Sequence, residues 1–122
     1  MATTNENAVT KEVFDTNTAA WQATSGSVRG MIGTTVLANL FNVPLVDLQE
    51  IISEMQLNDK AVSCDAFIGT TETSDGTGNQ EMRLYFVGVD ADGNNIFERP
   101  GPDGEMESAI YDMVMPCPPT CR

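Results

Sequence analysis

Histidine is absent from the 122 residues, and its absence narrows function more than any motif present. It removes Ser-His-Asp and Cys-His catalysis, histidine metal sites and the usual near-neutral proton shuttle together. Basic residues are also scarce: six Lys and Arg stand against eighteen Asp and Glu, a formal charge of −12. A field of that sign repels phosphate backbones and anionic headgroups, so neither nucleic acid nor a membrane surface is expected as a partner. Long apolar runs are missing too. The most apolar stretch, 36–52, is broken by Asn39, Asn42, Pro44, Asp47, Gln49 and Glu50, whereas crossing a bilayer takes about 20 apolar residues. The first ten residues lack a basic start followed by an apolar run, so no secretory signal is read. The expected location is cytoplasmic, with release by lysis or an unconventional route as the other way out.

What is present describes one folded body. Hydrophobic residues make up 41% and charged residues 20%, ordinary globular usage for a chain near the modal size of one domain. The segment 1–12, rich in Thr, Asn and Glu, reads as a flexible or partner-held arm. The segment 13–115 reads as a single α+β domain, and 116–122 as a Cys-Pro tail. No internal repeat marks a second unit.

Along the chain, Val13, Phe14, Asn17, Ala20 and Trp21 fall on one side of a 3.6-residue period and predict a helix over 13–22. Val28, Met31 and Ile32 suggest a brief strand ending at Gly33. Thr34 or Thr35 is placed to cap a short helix through Val36, Leu37, Leu40 and Phe41. Asp47 and Glu50 have capping-box spacing at the head of a further helix whose stripe is Leu48, Ile51, Ile52 and Met55. From Ala61 the period changes to two, with Val62, Cys64, Ala66 and Ile68 on one face of a strand. Leu84 to Val89 is apolar on both faces, as in a central strand. The turn at Asp92-Gly93 closes a hairpin over 81–98. Ala109 to Met115 reads as a last strand, and Pro116, Pro118 and Pro119 are expected to forbid regular pairing beyond it. The fold class expected is α+β: two or three short N-terminal helices packed on a small antiparallel meander of three to four strands.

Three groups of residues carry chemistry. Cys117 and Cys121 enclose Pro118-Pro119-Thr120, one residue wider than a thioredoxin-like pair, and fit a rigid tail of reduced thiols or a disulfide better than a redox centre. With Cys64 distant and no histidine, zinc would need ligands from two chains. Asp90, Asp92 and Asn94 occupy positions one, three and five of a calcium loop, but Asn95 and Gly101 stand where such a loop needs glycine and a bidentate glutamate. Asp103, Glu105 and Glu107, folded back, would complete an oxygen cage. The same residues also suit a plain hairpin turn, which is the favoured reading. Phe67 and Phe97 are out of register with the apolar faces of their strands, which makes them candidate interface anchors.

The run Leu84-Tyr85-Phe86-Val87-Gly88-Val89-Asp90-Ala91-Asp92-Gly93-Asn94, with the ending from Tyr111-Asp112 through Pro116-Cys117-Pro118-Pro119 to Cys121, resembles a family of small uncharacterised bacterial proteins found chiefly in Bacteroidota-type genomes. The resemblance implies the same boundaries and an α+β body, and lends no activity, ligand or catalytic residue. The expectation is therefore no enzyme and no catalytic residue, but a structural or interaction module, self-assembling or bound to another protein. The alternatives are a calcium-dependent binding domain and a thiol or metal-handling protein; no cofactor is expected other than calcium in the first of these. An acidic decoy for a nucleic-acid-binding protein rests on charge alone.

Overall fold

The computed structural model describes residues 7–27 and 30–119; Val28, Cys121 and the segment 1–6 lie outside the described residues. The element order is α1 (Lys11–Ser27), β1 (Met31–Ile32), β2 (Thr35–Val36), β3 (Leu40–Asn42), α2 (Leu45–Leu57), β4 (Ser63–Glu72), β5 (Gln80–Val89), β6 (Asn95–Ile96), β7 (Glu98–Pro100), β8 (Met106–Ser108), β9 (Ile110–Tyr111) and β10 (Met115–Cys117). The expected fold class is corrected here. About 27% of the described chain is helix and 36% is strand, arranged around a mixed six-stranded sheet. The protein is therefore sheet-dominated with a small helical part, in place of helices packed on an antiparallel meander.

The physical reason is β5. Its run of Leu84, Tyr85, Phe86 and Val87 is apolar on both faces, and the strand pairs on both edges. One edge pairs with all ten residues of β4, antiparallel and without a break. The other edge is shared by three short strands: β2 runs parallel against Gln80 and Glu81, β9 lies antiparallel to Phe86 and Val87, and β6 to Gly88 and Val89. The parallel β2–β5 pair makes the sheet mixed. The hairpin read over 81–98 forms, but only two residue pairs close it; the main hairpin is β4–β5.

The segment predicted as a helix through Val36 and Phe41 is instead β2, a bend and β3. Leu37 and Ala38 are buried there, and the Ala38 carbonyl accepts the Trp21 indole N–H at 2.8 Å. Val36 is β-branched and Asn39 and Asn42 favour turns, so local propensity gives way to these long-range bonds. β3 pairs with β10, with Pro116 opposite Phe41, which corrects the expectation that the prolines bar regular pairing. A three-residue ladder on its own small sheet needs few donors, and the Pro116 ring is among the largest fully buried side chains.

The two helices begin differently. Thr10 caps α1, its hydroxyl accepting the Val13 N–H at 3.2 Å. Thr18, Thr24, Ser25 and Ser27 donate back to carbonyls three or four residues earlier, which satisfies their hydroxyls within the helix. In α2 the capping box does not form. The helix starts earlier than read, at Pro44, whose carbonyl accepts the Leu48 N–H, leaving Asp47 inside the first turn beside the positive end of the helix. Ile51 and Met55 of the predicted stripe are buried. At the other end Lys60 takes φ 58°, the left-handed turn that reverses the chain from α2 into β4.

The β4–β5 loop is organised by Asp75. Its carboxylate accepts the Thr73 and Thr77 hydroxyls, both at 2.7 Å, and the Thr77 N–H at 3.1 Å. These bonds, the Thr73 hydroxyl foremost, lower its pKa to about 2. A carboxylate whose folded pKa is lowered contributes stability above its unfolded value near 3.8, and that contribution is lost as pH falls toward 2. Thermal melting of wild type and Asp75→Ala is therefore expected to differ at pH 5 and to converge by pH 2.

Candidate interaction surface

The described residues bury few large side chains, chiefly Leu37, Ile51, Met55, Val87, Val114 and Pro116. Much apolar surface is left outside, on both helices and on β4, where Phe67 and Ile68 are exposed. This strand ends the sheet, with β5 on one side and no described strand on the other. Nine of its ten residues are exposed, only Gly69 being half-buried. Ile68 is 71% exposed, though its alternation with Val62, Cys64 and Ala66 suggested a face turned to the core.

The hydrogen-bonding state of that edge follows from the ladder. Thr73 N–H donates to the Asn79 carbonyl at 2.9 Å, one step beyond the Glu72–Gln80 pair in the same register. Residues of an antiparallel strand alternate between bonding one neighbour and the other. Counting back from Thr73, the odd-numbered residues of β4 bond β5. Cys64, Ala66, Ile68, Thr70 and Glu72 then turn their N–H and C=O outward, where no described backbone group meets them. Natural edges are commonly blunted by lysine, proline or a bulge; β4 has none of these, and its residues 66–71 carry no charge.

Beside the edge lies an aromatic pair. Phe67 and Phe97, 42% and 49% exposed, meet with ring centroids 6.3 Å apart at 42°. The sequence singled out both as off-register aromatics, and the structure places them together. Phe67 shares its sheet face with Tyr85, its cross-strand partner. The Tyr85 ring lies over Gly69, where an added Cβ would sit 2.8 Å from Cε2. Glycine thus makes room for the ring beside Phe67.

A second constellation, unread in the sequence, centres on Arg99 of β7. Its Nη1 donates to both Asp59 oxygens at 3.1 Å and to the Tyr111 hydroxyl at 2.6 Å, and its Nε donates to Glu107 at 2.9 Å. Glu54 lies 3.5 Å from Nη2. The Asp59 side chain is 1% exposed. The Tyr111 hydroxyl, then Glu107 and Asp59, hold the guanidinium above its ordinary pKa against the opposing effect of burial. One cation thereby ties the end of α2 to β7, β8 and β9, a structural arrangement with no free reacting group.

The remaining predicted residues stay apart. Asp90 spends its Oδ1 on the N–H groups of Asp92 and Asn94, both at 2.9 Å, and Gly93 takes φ 86°, so the segment is built as a turn. Asp103 accepts the Glu105 N–H within its own turn, and Glu107 is committed to Arg99. Among the described residues no group of three or more carboxylates and thiols is placed to hold a metal. Cys117 is disulfide-bonded and Cys64 is free. Burial raises the Cys64 pKa, with a smaller contribution in the same direction from Asp65 and an opposing hydrogen bond from the Val87 backbone. The thiolate that a nucleophile needs is disfavoured there. No helix among the described residues is long and apolar enough to cross a membrane. No family model, curated protein or solved structure matches the chain.

Proposed function

We propose that the protein is a non-enzymatic interaction module that binds a partner protein by accepting a strand along the outer edge of β4. The observation that carries this reading is the edge itself: ten residues in unbroken register, nine of them exposed, five of which turn outward backbone groups that no described backbone group meets. Strand addition draws its affinity from main-chain hydrogen bonds and its selectivity from neighbouring side chains. Phe67 and Phe97 supply the apolar anchor beside the edge. The charge of −12 favours a protein partner over nucleic acid.

Thr70→Pro tests it, because proline at that position removes an outward N–H and leaves the β5 ladder intact. Tagged wild-type protein in extract of the producing cells is expected to retain a partner that Thr70→Pro loses, while the two melt at the same temperature as dilute, isolated subunits. Retention of the same proteins by both would contradict the reading.

A further inference from the structure

We propose that the strand accepted by β4 is β4 of a second copy, the two running antiparallel about a twofold axis through Ile68. The inference rests on the reading of β4 as a binding edge and adds the partner and the register.

The argument is one of self-complementarity. Outward residues of one edge must face outward residues of the other, and in antiparallel pairing the two residue numbers have a constant sum. With Ile68 opposite Ile68 of the second copy, Ala66 faces Thr70 and Cys64 faces Glu72. All five outward residues then pair, which a register slipped by two residues in either direction does not achieve, since it leaves Cys64 or Glu72 beyond the partner's outward set. Twofold pairing also makes the contact closed, the same patch serving both subunits.

Side chains agree with this register. Ile68, exposed here, meets its own copy on one face. On the other face Phe67 lies opposite Gly69 of the second copy, whose missing side chain admits an aromatic ring, next to that copy's Tyr85. The only charges on β4 are Asp65 and Glu72. Asp65 faces Thr71 and Glu72 faces Cys64, and the two acids point to opposite faces of the sheet, so no carboxylate confronts another. α2 lies over the Cys64 end of β4, where Ile52, Met55 and Gln56 line a shallow groove with Val62 and Cys64. Antiparallel pairing carries the two α2 helices to opposite ends of the joined strands, clear of each other.

Two subunits of charge −12 still repel at long range. Because a Debye length of about 10 Å at 0.1 M salt shrinks to about 3 Å at 1 M, association is expected to strengthen with salt, the reverse of an interface held by ion pairs.

The test is light-scattering mass across protein concentration, at low and high salt, with residue-resolved amide exchange on the same samples. Expected are a concentration-dependent dimer, tighter at high salt, and slowed exchange at Cys64, Ala66, Ile68, Thr70 and Glu72 as it forms. Thr70→Pro should raise the dimer dissociation constant at least tenfold. A monomer at every concentration and salt, with those five amides exchanging freely, overturns self-pairing and leaves the edge to another protein. A dimer whose five amides still exchange freely overturns the pairing as well and leaves the edge to another protein, whereas protection of the five already in dilute monomer overturns the reading of β4 beneath it.

Discussion

Replacing Arg99 with methionine is expected to cost about 3–5 kcal/mol of stability, the loss typical of removing one partner from a buried ion pair. The Asp59 side chain is 1% exposed and takes both of its short contacts with Arg99 from one guanidinium nitrogen. Methionine fills similar volume without charge, so the buried carboxylate is left without its cation. The Tyr111 hydroxyl and Glu107 lose a donor at the same time. Urea unfolding measures the loss directly. Asp59→Asn in the Arg99→Met background should return part of it, because the uncompensated charge is then gone. A loss below about 1 kcal/mol, the range of exposed pairs, would show that water reaches Asp59.

The second large effect is a contrast between neighbours. Thr70 and Thr71 are the same residue type on the same exposed strand, but the ladder assigns their N–H groups to opposite sides. Thr71→Pro removes a donor to β5 opposite Glu81 and is expected to destabilise the fold by about 2 kcal/mol or more, as a lost ladder bond and an unpaired acceptor require. Thr70→Pro removes only an outward donor and should leave the isolated subunit nearly as stable as wild type. Thermal melts of the two variants in dilute protein decide it; equal losses would mean that β4 does not alternate as described.

How much of this was legible in the sequence depended on the range of the interactions involved. The α2 stripe of Ile51 and Met55 was readable because a 3.6-residue period is local, as was the Asp92-Gly93 turn. The capping box was misread because Pro44, with φ fixed near its helix-entry value, starts the helix before Asp47 can cap it. The fold class was misjudged because three short strands share one edge of β5, and two-residue strands carry no period of their own. Pro116 looked like a terminator, yet its ring is worth more buried than its missing N–H costs in a short ladder.

For the candidate surface, Phe67 and Phe97 were visible as aromatics out of phase with their strands. The exposure of Val62 and Ile68 was not, since the same alternation describes a strand with one face in the core. Only the position of β4 at the end of the sheet decides between them. The contacts of Arg99 reach up to 45 positions along the chain, to Glu54, and nothing local announces them. The one available signal was scarcity: with six basic residues among eighteen acids, each cation is pressed to serve several carboxylates.

The most direct test of the central claim is amide exchange along β4 in dilute, monomeric protein. The account predicts alternation: slow exchange at Asp65, Phe67, Gly69 and Thr71, and fast exchange at Cys64, Ala66, Ile68, Thr70 and Glu72. Uniformly slow exchange along the strand would show that the outer edge is already covered within one chain, and would contradict its role as a surface for a partner.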